Sequence, residues 1–325
     1  MTFIASVIAK DGIAVVADSL VSSFTETLER ADWEDFIEKN RAVAKKKNGF
    51  SFSEEEITQL FQTKPSHTKD FENKLFEYDD YTLISTAGSA IINNKRIVNL
   101  VAEIKKKTQK NKRSYRQQGI VRKIEEFCEI LHQEVSAHMN EHGSIGETTF
   151  IFSHFDKNSL TPHVFKVSVK PSSDINSVSI NTNTVKELIV CDGQPGIAYR
   201  ILYGGIIEGL EIKNLILDSL KQELGKNGIV EGKQLPNGFF KSLDETQTMQ
   251  IINSQIKEAQ MFHISNISLQ QAADLAYLLL KVERDFQAYT KEIPTVGGHI
   301  KLATINENGI NFILGKSIIK PTRHL

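Results

Sequence analysis

The sequence is poor in the residues that mark several protein classes. Cys128 and Cys191 are its only cysteines among 325 residues. Two cysteines exclude a disulfide framework and any four-cysteine metal site, and they read as small core residues in a reducing compartment. No run approaches the roughly 18 consecutive apolar residues of a membrane helix. Met1 to Ala9 does not supply the apolar stretch of a signal peptide either, because Lys10-Asp11-Gly12 follows at once. A cytoplasmic protein without a membrane partner is expected. An excess of one charge is missing as well: 39 Lys and Arg face 40 Asp and Glu, a net charge of -1, so no global field favours nucleic acid. The basic stretch from Lys105 to Arg116 has Tyr115 as its only aromatic, which suits a solvated helix end and loop better than a stacking platform.

Phosphate-cradling and hydrolase motifs are absent too. There is no Gly-x-x-x-x-Gly-Lys-Ser/Thr loop, no Gly-x-Gly-x-x-Gly after a strand and no Gly-x-Ser-x-Gly elbow. His132, His138, His142, His154 and His163 are separated by 6, 4, 12 and 9 positions, which matches no compact ligand motif. Neither a cofactor nor a metal is expected.

What is present is an ordinary globular composition, 40% hydrophobic and 24% charged. Phe3–Ala9 and Ile13–Ser19 are β-rich and apolar along most of their length, and Asp11-Gly12 suits a hairpin turn. Such runs fit strands covered on both faces. Further strands are expected at Lys74–Tyr78, Tyr81–Ser85, Thr148–Phe155, His163–Val169, Glu187–Cys191, Ile300–Ile305 and Ile310–Leu314. Helical spacing marks 89–107, 120–142, 196–203 and 269–287. Residues 23–70 and 205–264 break this pattern and read as two largely helical insertions, the first with a Ser53–Glu56 capping box. The alternation of strand pairs with helix pairs predicts one α/β (α+β) domain over 1–325, a four-layer αββα sandwich.

Thr2 gives this outline a chemistry. Once Met1 is removed, it carries a hydroxyl nucleophile and a free amine that can serve as the base for that hydroxyl. Any Met-Thr sequence shares this property, so the residues that accompany it decide. Thr2 to Asp18 is 16 positions and Lys74 to Gly88 is 14. Together Thr2-Phe3-Ile4, Lys10-Asp11-Gly12 through Asp18-Ser19, Lys74 through Asp80 and Ala87-Gly88-Ser89 resemble a proteasome β-type subunit, an N-terminal-nucleophile hydrolase. Both separations equal the family's. Asp192-Gly193-Gln194-Pro195 resembles its later Ser-Gly turn, and Gly297-Gly298 the Gly-Gly before its last strand pair.

The resemblance implies roles. Thr2 is the nucleophile, with its amine and Lys74 handling the proton; Asp18 orients Lys74; the Gly88 N–H receives the oxyanion. Ser22 flanks a groove for an extended peptide. Asp192 and Gly193, Asp285 and a hydroxyl from Thr290 or Thr295 complete the surroundings. Three positions depart from the family. Asp192 stands where a serine is usual, and a carboxylate there raises the pKa of a neighbouring amine. Asp285 is followed by a longer run to Gly297, which leaves the hydroxyl open between Thr290 and Thr295. Leu20 replaces a common arginine.

The expected activity is a threonine peptidase acting on peptide or protein substrates, within a homo-oligomeric ring and with an ATP-dependent unfoldase as a further expected partner. No propeptide is expected ahead of Thr2, so that trimming by a methionine aminopeptidase is expected to suffice, as in the simple bacterial proteasome-like proteases. The alternatives are a catalytically inactive scaffold subunit of the same fold and an amidohydrolase for a non-peptide amide.

Overall fold

The structure, a computed structural model, describes residues 2–47, 52–69, 72–110, 115, 117–171, 178–185, 187–203, 266–290 and 293–315. The second expected insertion, 205–264, lies wholly outside these residues. By its internal contacts the chain divides into two compact units, Met1–Gln194 with Leu269–Leu325, and Pro195–Ser268.

In the first unit the strands are β1 (Phe3–Ala9), β2 (Gly12–Ala17), β3 (Val21–Thr27), β4 (Gln62–Lys69), β5 (Leu75–Asp79), β6 (Thr82–Ala87), β7 (Ile91–Ile92), β8 (Lys95–Arg96), β9 (Thr148–Asp156), β10 (Thr161–Pro171), β11 (Val178–Thr184), β12 (Ile189–Gly193), β13 (Lys301–Asn306) and β14 (Gly309–Leu314). Its helices are α1 (Arg30–Lys47), α2 (Glu54–Thr58), α3 (Ile97–Thr108), α4 (Ile120–His142) and, after α5, α6 (Leu269–Gln287). The described part of the second unit contains α5 (Gly196–Tyr203). Among the described residues no helix is long and apolar enough to cross a membrane.

The fold is mixed α and β with antiparallel sheets. One five-stranded sheet has the order β12-β1-β2-β13-β14 and the other β11-β10-β9-β6-β5, and every neighbouring pair in both is antiparallel. Alternation along the strands accounts for the packing. Ile4, Ile13, Val15 and Ala17 of the first sheet meet Leu75, Leu83, Ile151 and Val164 of the second in a shared core. The opposite face of the second sheet carries Ile84, Phe150, Phe152 and Val167, which pack with Leu100 and Ile104 of α3 and Phe127, Leu131 and Val135 of α4. Helix α6 packs on β1 and β2 through Ala272, Ala273, Ala276, Leu279 and Leu280, whose alanines permit close approach to the sheet. Phe3, Ala5 and Val7 are as fully buried as Ile4, as expected of strands covered on both faces. The Leu269 N–H at the start of α6 donates to Asp11 Oδ1 at 2.9 Å, so the first hairpin turn helps to cap this helix.

Three expectations change. The 23–70 segment is not simply helical: β3 and β4 form an antiparallel ribbon that carries α1, α2 and a small aromatic contact of Trp33, Phe36 and Phe52. Gln62–Lys69 is polar and contains Pro65, so it shows no apolar alternation; both strands of a two-stranded ribbon are edges, where proline is tolerated. The capping box at Ser53 forms, with Glu56 N–H donating to Ser53 Oγ at 3.2 Å and Ser53 N–H to Glu56 Oε2 at 2.8 Å. The helix expected from residue 89 starts only at Ile97. Before it, Asn93 and Asn94 both have positive φ, 50° and 57°, and turn the short β7–β8 hairpin. Polar β11, missed in the sequence, extends the second sheet beside β10.

His154 on β9 supplies a pH test of this frame. Its Nδ1 lies 2.9 Å from Thr82 Oγ1 on β6, and burial pushes the imidazole down to about 4. Nearby Asp79 pulls it up and Lys123 pushes it down further. A depressed imidazole binds fewer protons folded than unfolded, so its stability contribution is complete above about pH 6.5 and is lost as pH falls from there towards 4. We expect His154→Gln to remove on the order of 2 kcal/mol of that decline, read as a flatter stability–pH curve in urea titrations. An unchanged slope refutes the assignment.

Candidate active site

Hairpin geometry closes the two sequence separations. β1 and β2 pair with Ile4 opposite Ala17, so the residue after β2, Asp18, lies beside the residues that open β1. The Asp18 N–H donates to the Phe3 carbonyl at 3.1 Å. Likewise β5 and β6 pair with Leu75 opposite Ser85, and the Thr86 N–H donates to the Lys74 carbonyl at 2.9 Å. Lys74 thus stands just before the first strand of that hairpin and Gly88 just after the second, both at its open end.

Asp18 is the hub. Its side chain is wholly buried and accepts four hydrogen bonds, from Phe3 N–H at 3.0 Å, Leu20 N–H at 3.2 Å, Gly297 N–H at 3.1 Å and Lys74 Nζ at 2.8 Å. Burial pushes this carboxyl up, while Lys74 and the backbone donors pull it down. Three of these partners are backbone N–H groups, which can only donate, so the cradle favours the carboxylate form against the cost of burial. Lys74 Nζ also donates to the Leu20 carbonyl at 2.5 Å. Burial pushes the Lys74 ammonium below the ordinary lysine range, against the pull of Asp18 and Glu72. A lysine so placed can exchange a proton nearer neutrality than an exposed one.

Thr2, Leu20, Ser22, Lys74 and Gly88 line one cavity of about 440 Å³, together with Glu72, Thr86, Ile97, Val98 and Glu147. Thr2 is 3% exposed, and no hydrogen-bond acceptor among the described residues takes the Gly88 N–H. Gly88 has φ 111°, and a Cβ there would lie 2.1 Å from the Glu147 carbonyl, so only glycine fits the position. Ser22 Oγ donates weakly to the Pro294 carbonyl at 3.5 Å.

The Asp192–Gln194 turn holds Thr2 from the other side. Phe3 pairs with Gly193, and the Gln194 N–H donates to the Thr2 carbonyl at 2.8 Å. Gly193 has φ 91°, and a Cβ on it would lie 1.8 Å from that carbonyl oxygen. Gly193→Ala should therefore destabilise the protein by about 3 kcal/mol, from the left-handed backbone and the collision together. Chemical denaturation checks this; a loss below about 1 kcal/mol contradicts the close approach. Asp192 is paired to Lys166 and accepts the Gly193 N–H at 2.7 Å.

The structure separates the remaining candidates. Thr295 is 4% exposed; its hydroxyl donates to Gln194 Oε1, and the Gln194 N–H donates in turn to the Thr2 carbonyl. Thr290 is exposed and donates to the Gln287 carbonyl at 2.9 Å. Asp285 is not brought to the cavity. It sits 40% exposed on α6, bound by Lys281 and Arg284, which hold its carboxyl below the usual range. The residue serving the loop is Gln287, whose Oε1 accepts the Thr295 N–H at 2.8 Å and the Val296 N–H at 2.9 Å. Sequence reading also missed the Leu20 carbonyl, Glu72, Thr86 and Lys166. No residue pattern marks Gln287 or Lys166, because their roles depend on packing between distant segments.

Among the described residues no three His, Cys, Asp or Glu side chains gather as ligands for one metal ion. Comparison of the chain with protein-family models finds no match, and comparison with curated proteins finds none.

Proposed function

We propose that the chain is an N-terminal threonine hydrolase that cleaves peptide bonds through an acyl-enzyme on Thr2. One observation carries this reading: a buried, carboxylate-held lysine shares a single cavity with Thr2 and with a glycine N–H that can receive an oxyanion. The packing of α6 on one sheet, of α3 and α4 on the other, and of the two sheets on each other supports a four-layer αββα sandwich of the N-terminal-nucleophile type.

In the reaction, Thr2 Oγ1 attacks the substrate carbonyl carbon as its proton passes to the Thr2 amine. The charge that develops on the carbonyl oxygen is met by the Gly88 N–H, an interaction worth about 3 kcal/mol where such donors have been removed. The ammonium of Lys74 keeps the amine from being protonated beforehand, since like charges oppose each other. Collapse expels the leaving amine, which takes the proton, and leaves an ester on Thr2. Water then attacks that ester, its proton returns through the same amine, and the acid product leaves. An extended peptide fits between the Leu20–Ser22 and Gly88–Ala90 walls of the cavity.

The test is intact mass. Protein purified from cells should lack Met1 and gain one equivalent of a peptidyl β-lactone, mapped to Thr2. Retention of Met1 with no adduct sinks the catalytic reading and favours a scaffold role.

A further inference from the structure

Asp192 stands where the resemblance calls for a serine, and the other sheet answers it. On β12 it lies opposite Ile4, a residue of the core shared by the two sheets, so its side chain projects into the space between them. By the same alternation the Thr2 side chain, two residues before Ile4, is directed to that space. On β10, Phe165, Val167 and Val169 face the helices, whereas Val164 belongs to the shared core. Lys166 therefore faces inwards with Val164, and its Nζ is bound to Asp192 Oδ2. The other oxygen of Asp192 accepts the Gly193 N–H. Gly193 and Gln194 in turn contact the Thr2 carbonyl.

A carboxylate in this place has a chemical consequence. An unneutralised negative charge next to an amine favours the ammonium form, and an ammonium cannot take the hydroxyl proton. We propose that Lys166 is a positioning residue for the Thr2 amine: it cancels the Asp192 charge and, through Asp192, anchors the turn that grips Thr2. This rests on the nucleophile reading of Thr2. Lys166 touches no reacting atom in this scheme; it acts through Asp192.

The other charged groups facing this space are few among the described residues. Lys170, also on β10, is paired with Glu147 at 2.8 Å, Lys74 with Asp18 at 2.8 Å, and Glu72, which lines the Thr2 cavity, with Arg96 at 2.9 Å; Lys301, opposite Ala17 on β13, lies over the Phe312 ring and is drawn to Glu77. Asp18, Glu72 and Glu147 each keep a cation when Lys166 is removed, whereas Asp192 loses its ion-pair partner. Lys166 and Asp192 are 34% and 19% exposed. Water therefore reaches the pair, and the effect is a shift of the amine's titration rather than collapse of the core.

The experiment is the pH dependence of Thr2 acylation by a peptidyl β-lactone, followed by intact mass on the full chain lacking Met1. Lys166→Met should move the acid limb of the rate to higher pH by about one unit, and Asp192→Asn should move it to lower pH. In Lys166→Met combined with Asp192→Ser the limb should return to the wild-type position. Displacements of opposite sign followed by rescue are not produced by loss of structure, which lowers the amplitude at every pH. Acylation with an unmoved limb in both single variants overturns the inference while leaving Thr2 as nucleophile. Absence of acylation of the wild type at any pH overturns the nucleophile reading and the inference with it.

Discussion

Thr2→Ala should lower turnover and β-lactone labelling by at least about 10⁴-fold, the scale seen when a covalent nucleophile is removed from a cooperating group. The fold should not change. The Thr2 main chain supplies its structural contact, the carbonyl that accepts the Gln194 N–H, and alanine keeps that carbonyl. The deleted hydroxyl and methyl groups border the cavity rather than the packed core, so the stability cost should stay within about 1 kcal/mol. Thr2→Ser is the sharper companion. Serine retains hydroxyl and amine, so it should label at a reduced but measurable rate. Full activity in the alanine variant refutes the mechanism. Equal loss in alanine and serine variants would mean that the threonine methyl, not the hydroxyl, matters.

Much of this site was legible because its separations are hairpin lengths. Residues 16 apart across a tight antiparallel turn return to one another, so Thr2 and Asp18 could be placed together from the Asp11-Gly12 turn and the flanking apolar strands. Lys74 and Gly88 follow the same logic around Asp79-Asp80. What was not legible depends on contacts between remote segments. Asp285 has a plausible place in the sequence, yet the helical phase of α6 turns it towards Lys281 and Arg284, and Gln287 holds the Thr295 loop. Lys166 looks like any lysine on a strand until the second sheet sets it against Asp192. Strands with polar sequences, β4 and β11, were missed for a related reason: edge positions do not require an apolar face. Asn93-Asn94 carried a usable turn signal within a segment whose apolar residues suggested helix.

Asp18→Ala should be the most damaging single change at the site, costing about 3–5 kcal/mol of stability and all detectable acylation. It leaves the Lys74 ammonium buried with the Leu20 carbonyl as its remaining acceptor. It also strips the acceptor from the N–H groups of Phe3 and Gly297, and leaves the Leu20 N–H with the Gly297 carbonyl at 3.0 Å as its acceptor. Lys74→Met breaks the same ion pair from the other side with a smaller structural consequence. The Asp18 carboxylate keeps three backbone donors, and the methionine fills most of the lysine volume, so about 2 kcal/mol is expected. Acylation should nevertheless fall by at least about 10²-fold, because the charge that keeps the Thr2 amine neutral and ready to take the proton is gone. Urea denaturation and labelling rates measured on both variants separate the two roles. If Lys74→Met unfolds the protein as readily as Asp18→Ala, the three backbone bonds do not sustain the carboxylate. If Lys74→Met labels at the wild-type rate, Lys74 is a structural counter-ion and the chemistry lies elsewhere.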